Sequence, residues 1–253
     1  MDLRLTAAGL LVGIVAGMSG IGGGSLLAPI LILLFGVKAS IAIGTDLLYS
    51  VPMKALAAFA HIRQGTVDLR IVKLLASGGI PGALVGLAAF AFVRTHIPQA
   101  QLEQVLRHAI GIVILCASAA TLVLTLIARR RPAPTTVSRP RAIVAVGAVV
   151  GFLVALTSIG SGSITLPLLL LALPAIRLRA LIGSEIVFAA LMVPVAAAGH
   201  VAFANVDWMM ALSLTVGALP GAYLGAHLTS RLSERALRPV VIGILAFAGF
   251  KLL

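Results

Sequence analysis

Between Leu5 and Val37 the chain runs for 33 residues without an Asp, Glu, Lys or Arg. As one continuous helix that stretch would be about 50 Å long, against a hydrocarbon core of about 30 Å. It must therefore tilt steeply or break. In its middle lies Ser19-Gly20-Ile21-Gly22-Gly23-Gly24-Ser25, and an altered copy, Thr157-Ser158-Ile159-Gly160-Ser161-Gly162-Ser163, lies inside a second long apolar run from Ala142 to Ile176. Glycine at such density removes helix-forming side chains, and a broken backbone survives at membrane depth only where it is buried in protein or lines a cavity.

Further runs free of those four residue types extend from Leu74 to Val93, Ala109 to Ala128 and Trp208 to Ser230. Several reach the roughly 20 residues that cross a bilayer. With 60% hydrophobic and 10% charged residues, the chain has more apolar side chain than a soluble globule of 253 residues could cover, so a multi-pass protein in the lipid bilayer is expected. The first run is longer than a signal-peptide core and is read as retained. A net charge of +12 would suggest nucleic acid in a soluble protein, but here the basic residues cluster between spans, and no nucleic-acid partner is expected. The single Cys116 permits neither an internal disulfide nor a cysteine metal site, and no cofactor is expected.

The two halves repeat. Gly13, Ile21, Gly22, Gly24, Ser25 and Pro29 recur 138 residues later as Gly151, Ile159, Gly160, Gly162, Ser163 and Pro167. At an offset of 139, Gly44-Thr45-Asp46 matches Gly183-Ser184-Glu185, His61 matches His200, Val67-Asp68 matches Val206-Asp207, and Pro81-Gly82 with Gly86 matches Pro220-Gly221 with Gly225. The expected organisation is a first transmembrane repeat over residues 1–128, a basic cytoplasmic linker over 129–141 and a second repeat over 142–253.

Orientation follows from charge. If each long run crosses once, the two sides carry ten and eight Lys/Arg; if each enters, breaks at its glycines and returns, the sides carry thirteen and five, with Lys54 inside a span. The positive-inside bias favours the second threading. The expected fold is an all-α integral membrane protein of two homologous halves, each of about four hydrophobic segments. They form inverted repeats with a Gly-broken, re-entrant first segment in each half. Secondary transporters are commonly built so, with the site near the midplane.

A helix that starts in mid-membrane offers free N–H groups and the positive end of its dipole, which attract anions. Ser25 and Ser163 suit the N-cap, and Pro29 and Pro167 suit the first turn. The substrate-binding candidates are Gly20, Gly22, Gly23, Gly24 and Ser25 in one half and Ser161, Gly162 and Ser163 in the other, with Thr45 and Ser184 lining a polar path alongside Tyr49 and Ser50. Gly82/Gly86 and Gly221/Gly225 are instead read as close helix packing.

Asp46 and Glu185 occupy equivalent positions within about two turns of a span's start, where a charged carboxylate costs about 3 kcal/mol. They are candidates for ion coupling, or two copies of one capping solution. Lys54, two turns beyond Asp46, either neutralises that carboxylate or helps to hold the anion. His61 and His200 read more readily as interfacial anchors than as a proton relay, and Asp68 and Asp207 as N-caps of the spans that follow.

The Gly-Ile-Gly-Gly-Gly-Ser run followed by Pro29, the Gly44-Thr45 pair, the Arg63-to-Asp68 turn (Arg-x-Gly-x-Val-Asp) and the duplicated half resemble the TauE/SafE family of permeases, also called the sulfite exporter or TSUP family. The resemblance covers nearly the whole chain. It implies transport of small sulfur-containing anions such as sulfite or organosulfonates, commonly as export across the bacterial cytoplasmic membrane. The family's glycine-rich segments map onto Gly20 to Ser25 and Gly160 to Ser163. The second copy departs from the first, with Ser158 and Ser161 in place of Gly20 and Gly23. The expected function is thus a secondary transporter of a small sulfur anion, ion-coupled, working by alternating access. The alternatives are a passive anion channel and a permease for thiosulfate or a small carboxylate. An enzyme is not expected, since no catalytic motif is found and each polar candidate has a repeat mate. The partners expected are the anion and the bilayer, with a homo-oligomer left open.

Overall fold

The computed structural model describes residues 2–19, 24–127, 140–173, 176–229 and 234–253. Among them every regular element is an α-helix. The first repeat supplies α1 (Leu3–Ser19), α2 (Gly24–Phe35), α3 (Ala39–Arg63), α4 (Leu69–His96) and α5 (Gln99–Ile127). The second supplies α6 (Pro140–Thr157), α7 (Thr165–Ala172), α8 (Leu178–Ala202), α9 (Trp208–Thr229) and α10 (Glu234–Leu252). The expected glycine-run residues Gly20, Gly22 and Gly23 lie outside the described residues, as does most of the basic linker; α6 already opens at Pro140, where a proline suits a helix start.

Helix is what these sequences must form in lipid, because it alone satisfies an apolar segment's backbone within itself. Leu69–His96, Gln99–Val123, Pro140–Thr157, Leu178–Ala202 and Trp208–Gly225 are long and apolar enough to cross a membrane. Large apolar side chains such as Leu11, Phe92, Leu171 and Phe247 face outward, as a lipid-facing surface requires.

Glycine stripes decide which helices meet. A Cβ placed on Gly9 would strike the backbone of Leu214, and one on its repeat mate Gly147 would strike the backbone of Leu75, the mate of Leu214. Gly13 abuts Ala218, and its mate Gly151 abuts Gly79; Gly82 abuts Ala148, and its mate Gly221 abuts Leu10. Gly78 against Val144 and Gly217 against Thr6, and Gly86 against Phe152 and Gly225 against Ile14, follow the same pattern. So α1 packs on α9 of the other repeat and α6 packs on α4, by the same residues. The packing role expected for Gly82, Gly86, Gly221 and Gly225 is the observed one. The exchange is reciprocal elsewhere too, with α2 against α10, α7 against α5, and α3 against α8 at the centre.

The second long apolar run is interrupted between α6 and α7; the first is described as α1 up to Ser19 and α2 from Gly24, and the residues expected to break it lie outside the described residues. Details differ from expectation. Ser163 is not the cap of α7: the helix opens at Thr165, Ile164 holds the cap position, and no side chain caps it. The reason is local, since the main-chain N–H groups of Ile164 and Thr165 and the Thr165 hydroxyl all donate to the Gly160 carbonyl, at 3.2, 3.1 and 2.9 Å. Pro167 falls in the first turn of α7, but Pro29 is the sixth residue of α2.

Candidate functional site

The break after α6 is built from residues that leave the right-handed region. Ser158 has φ +61°, Gly160 +132° and Gly162 +99°. Glycine takes such angles freely, whereas a serine does so only when its surroundings hold it there. Ser158 is held from both sides: its N–H donates to Val154 O at 2.8 Å, and its hydroxyl donates to Asp46 Oδ2 at 2.5 Å. Beyond it, Ser163 is buried with no hydrogen-bond partner for its hydroxyl among the described residues, and Gly162 is buried beside it. Two of the donors expected to be free at the start of α7 are spent on Gly160, so an unpartnered hydroxyl and a short helix's dipole remain as the anion-attracting features.

Asp46 is fully buried in the second turn of α3, and Glu185, at the same place in α8, is 3% exposed. Neither caps a helix start. Equal in the repeat, they are treated differently by the fold. Asp46 takes the Ser158 hydroxyl, whereas the residue equivalent to Ser158 in the first repeat is Gly20, which has no side chain to offer Glu185. Glu185 instead faces Lys54, whose Nζ is 3.9 Å from Oε1. The repeat mate of Lys54 is Val193, so this cation has no counterpart. Thus the ion pair of Lys54 is with the carboxylate across the α3–α8 contact, while its charge also acts on Asp46 two turns earlier on its own helix.

Thr45 and Ser184 lie next to those carboxylates and are fully buried. Their hydroxyls accept main-chain N–H groups of the opposite repeat, Asp207 N at 3.0 Å and Asp68 N at 2.8 Å respectively. Those two aspartates cap α9 and α4 as expected: Asp68 Oδ1 accepts from Arg70 N and Ile71 N, and Asp207 Oδ1 accepts from Met210 N. The preceding glycines make the approach possible, since a Cβ on Gly44 would meet Asn205 O and one on Gly183 would meet Thr66 O. Gly-Thr and Gly-Ser therefore bolt each repeat to the other's turn. Of the remaining candidates, Ser161 is half-buried in the break, and the side chain of Ser25 lies outside the described residues.

His200 is no interfacial anchor. It is fully buried, packs at a tilt against Phe90 with centroids 4.8 Å apart, and its Nε2 donates to Ala155 O at 2.9 Å. That carbonyl sits in the last turn of α6, where helical partners run out, so the imidazole closes the helix end before the break. His61 instead contacts its own turn, Nδ1 to Thr66 Oγ1 at 2.8 Å. Glu103, which sequence reasoning passed over, accepts from Ser40 N at 3.1 Å and Ser40 Oγ at 2.5 Å, an anionic cap on the start of α3. Nothing in its local pattern distinguishes it from a solvated carboxylate. A surface cavity of about 450 Å³ between the head of α5 and the tail of α10 is lined by Glu103, Arg107, His108 and Lys251, and holds none of the predicted site residues.

Comparison with known proteins supplies the family. Residues 5–252 match the profile of the family described as sulfite exporter TauE/SafE. The chain belongs to the TauE/SafE family. Among its relatives is the probable membrane transporter protein YjnA of Bacillus subtilis (strain 168), 35% identical over 260 residues and covering all of both chains. Two others from the same organism, the probable membrane transporter proteins YunE and YdhB, are 26% and 24% identical; each alignment covers 96% of the relative and at least 96% of this chain. No solved structure matches the chain at a significant level. As a TauE/SafE protein with several helices able to span a bilayer, it is a multi-pass membrane protein.

Proposed function

We propose that this TauE/SafE protein is a secondary transporter that moves a small sulfur-containing anion, sulfite or an organosulfonate, out across the bacterial cytoplasmic membrane. The observation that carries the reading is the break between α6 and α7. A left-handed Ser158, two glycines at positive φ and a buried, unpartnered Ser163 hydroxyl stand at the head of α7. An oxyanion supplies what that hydroxyl lacks, and the helix dipole favours its charge. The glycine run at Gly20 to Gly24 with Ser25 supplies the matching half of the site. The two repeats are inverted about an axis in the membrane plane, and rocking of one against the other exposes the site to each side in turn. Gly44-Thr45 and Gly183-Ser184 hold the two halves in register, and the buried cluster of Asp46, Glu185 and Lys54 contains the group that couples the anion's movement to that of a cation. The name of the family and the transporter names of the relatives support this reading.

The test is flux in proteoliposomes made with purified protein, using sulfite, thiosulfate, an alkanesulfonate and a small carboxylate as cargo. Wild type is expected to move at least one sulfur oxyanion, and Gly162→Ala, which forces a Cβ onto a left-handed residue, to slow it about tenfold. Flux of no sulfur oxyanion by wild type overturns the reading. Flux that ignores imposed proton and sodium gradients would assign the protein to passive channels instead.

A further inference from the structure

Asp46, Glu185 and Lys54 together place two carboxylates and one ammonium in the centre of the α3–α8 contact. Lys54 answers Glu185. Around Asp46, the groups from each packed element are few. On α3 they are Tyr49 and Lys54, and on α8 Glu185 and His200, whose Nε2 is committed to Ala155 O. The α6 end offers the Ser158 hydroxyl. On α5, Glu103 is engaged with Ser40; α2 has no charged residue, and Asp207 at the head of α9 turns to its own helix. Two carboxylates thus share one ammonium, which leaves one negative charge over; Asp46 Oδ1 and Glu185 Oε1 both lack a hydrogen-bond partner among the described residues, but Lys54 Nζ stands 3.9 Å from the latter, so the uncompensated oxygen is Asp46 Oδ1. Burying a carboxylate in that state is costly enough that a neutralising cation is expected with it.

Building on the transport reading above, we infer that Asp46 is the site of the coupling proton, that Lys54–Glu185 is a permanent ion pair, and that Ser158 links the proton to the anion. The proton arrives from water on one side, forms an O–H bond at Oδ1, and leaves to water on the other. A proton needs one free lone pair, which Oδ1 has; a sodium ion needs several oxygens, and Ser158 Oγ is the sole hydrogen-bonded oxygen neighbour of the carboxylate among the described residues. With the proton on Oδ1, the Ser158 hydroxyl keeps its bond to Oδ2, and the left-handed turn that presents Gly160, Gly162 and Ser163 stays in place. Without it, a bare carboxylate is bonded to Ser158, at the start of the turn that leads into the proposed anion site, and repels the substrate. Proton and anion accordingly bind together and travel in the same direction, so that an outward gradient of the anion drives the export proposed above, while an inward proton gradient drives uptake. The repeat asymmetry is the device: Ser158 replaces the glycine of the first copy, and Lys54 replaces the valine of the second.

The experiment uses full-length protein in proteoliposomes with an alkanesulfonate, which stays ionised across the pH range and so carries no titration of its own. Uptake is measured with and without an inward proton gradient of about two pH units, and anion–anion exchange in the same vesicles reports folded, inserted protein. Wild type is expected to respond severalfold, Asp46→Asn to give a ratio near one, and Asp46→Glu to restore the response. Ser158→Gly keeps the backbone conformation and is expected to weaken the response with the fold intact. The double variant Lys54→Met/Glu185→Met is expected to keep it. A wild type that transports but responds to sodium rather than protons, or an Asp46→Asn that responds as wild type does, overturns this inference and leaves the transport reading standing. A wild type that moves no anion overturns the transport reading itself.

Discussion

At the scale of single residues, burial turns ordinary polar side chains into committed ones. Lys54 is 9% exposed and Glu185 3%, so removing one partner strands the other in a dry helix contact. Lys54→Met is expected to lower stability by about 3 to 5 kcal/mol, and the double variant Lys54→Met/Glu185→Met to recover most of that loss. Thermal unfolding in detergent reads both, and a single variant as stable as wild type would dismiss the pair. Thr45→Val leaves the Asp207 N–H without its acceptor and is expected to cost about 1 to 3 kcal/mol, with Thr45→Ser close to wild type. The carboxylates, Lys54 and the capping aspartates were all legible in the sequence, because an ionisable group in an apolar run stands out. Their partners were not. Ser158 was visible only as a departure from Gly20, and no periodicity could say that its hydroxyl reaches a residue 112 positions earlier.

At the scale of elements, two kinds of glycine behave oppositely. Gly147 sits where a Cβ would collide with the Leu75 backbone, whereas a Cβ on Gly243 in α10 meets nothing within 4 Å. Gly147→Ala is expected to destabilise by about 1 to 3 kcal/mol through overpacking, and Gly243→Ala to stabilise by up to about 1 kcal/mol through helix propensity. Denaturation of the two variants side by side decides it, and equal shifts would refute the close-packing account. The interruption of the second long run followed from length and glycine content. The start of α7 did not, because Ser163 satisfies every local preference for a cap. Three donors gathering on the Gly160 carbonyl move the helix start two residues onward. His200 is the same lesson on α8: its place near a helix end suggested an interface, yet the α6 end packs over it and buries it completely.

At the scale of the whole molecule, the repeat predicts its own topology test. Lys38 and Arg177 are repeat mates immediately before α3 and α8, so inverted halves place them on opposite faces of the membrane and parallel halves on the same face. With Cys116 replaced by Ala, Lys38→Cys and Arg177→Cys are expected to react with an impermeant maleimide from opposite sides of a sealed vesicle; labelling from one side would rule inversion out. The sequence by itself determined the class, the duplication, the break within the second long run and the glycines at the helix contacts. These depend on composition, length and spacing, which act locally and repeat with the chain. Only the tertiary structure decided that α1 joins α9 and α6 joins α4, that Thr45 and Ser184 bind the opposite repeat's turns, and that Asp46 and Glu185 part company. Those outcomes depend on which side chain of one half meets which backbone of the other. The two copies differ by a hydroxyl at Ser158 and an ammonium at Lys54, and those differences gain their meaning only when the halves are packed together.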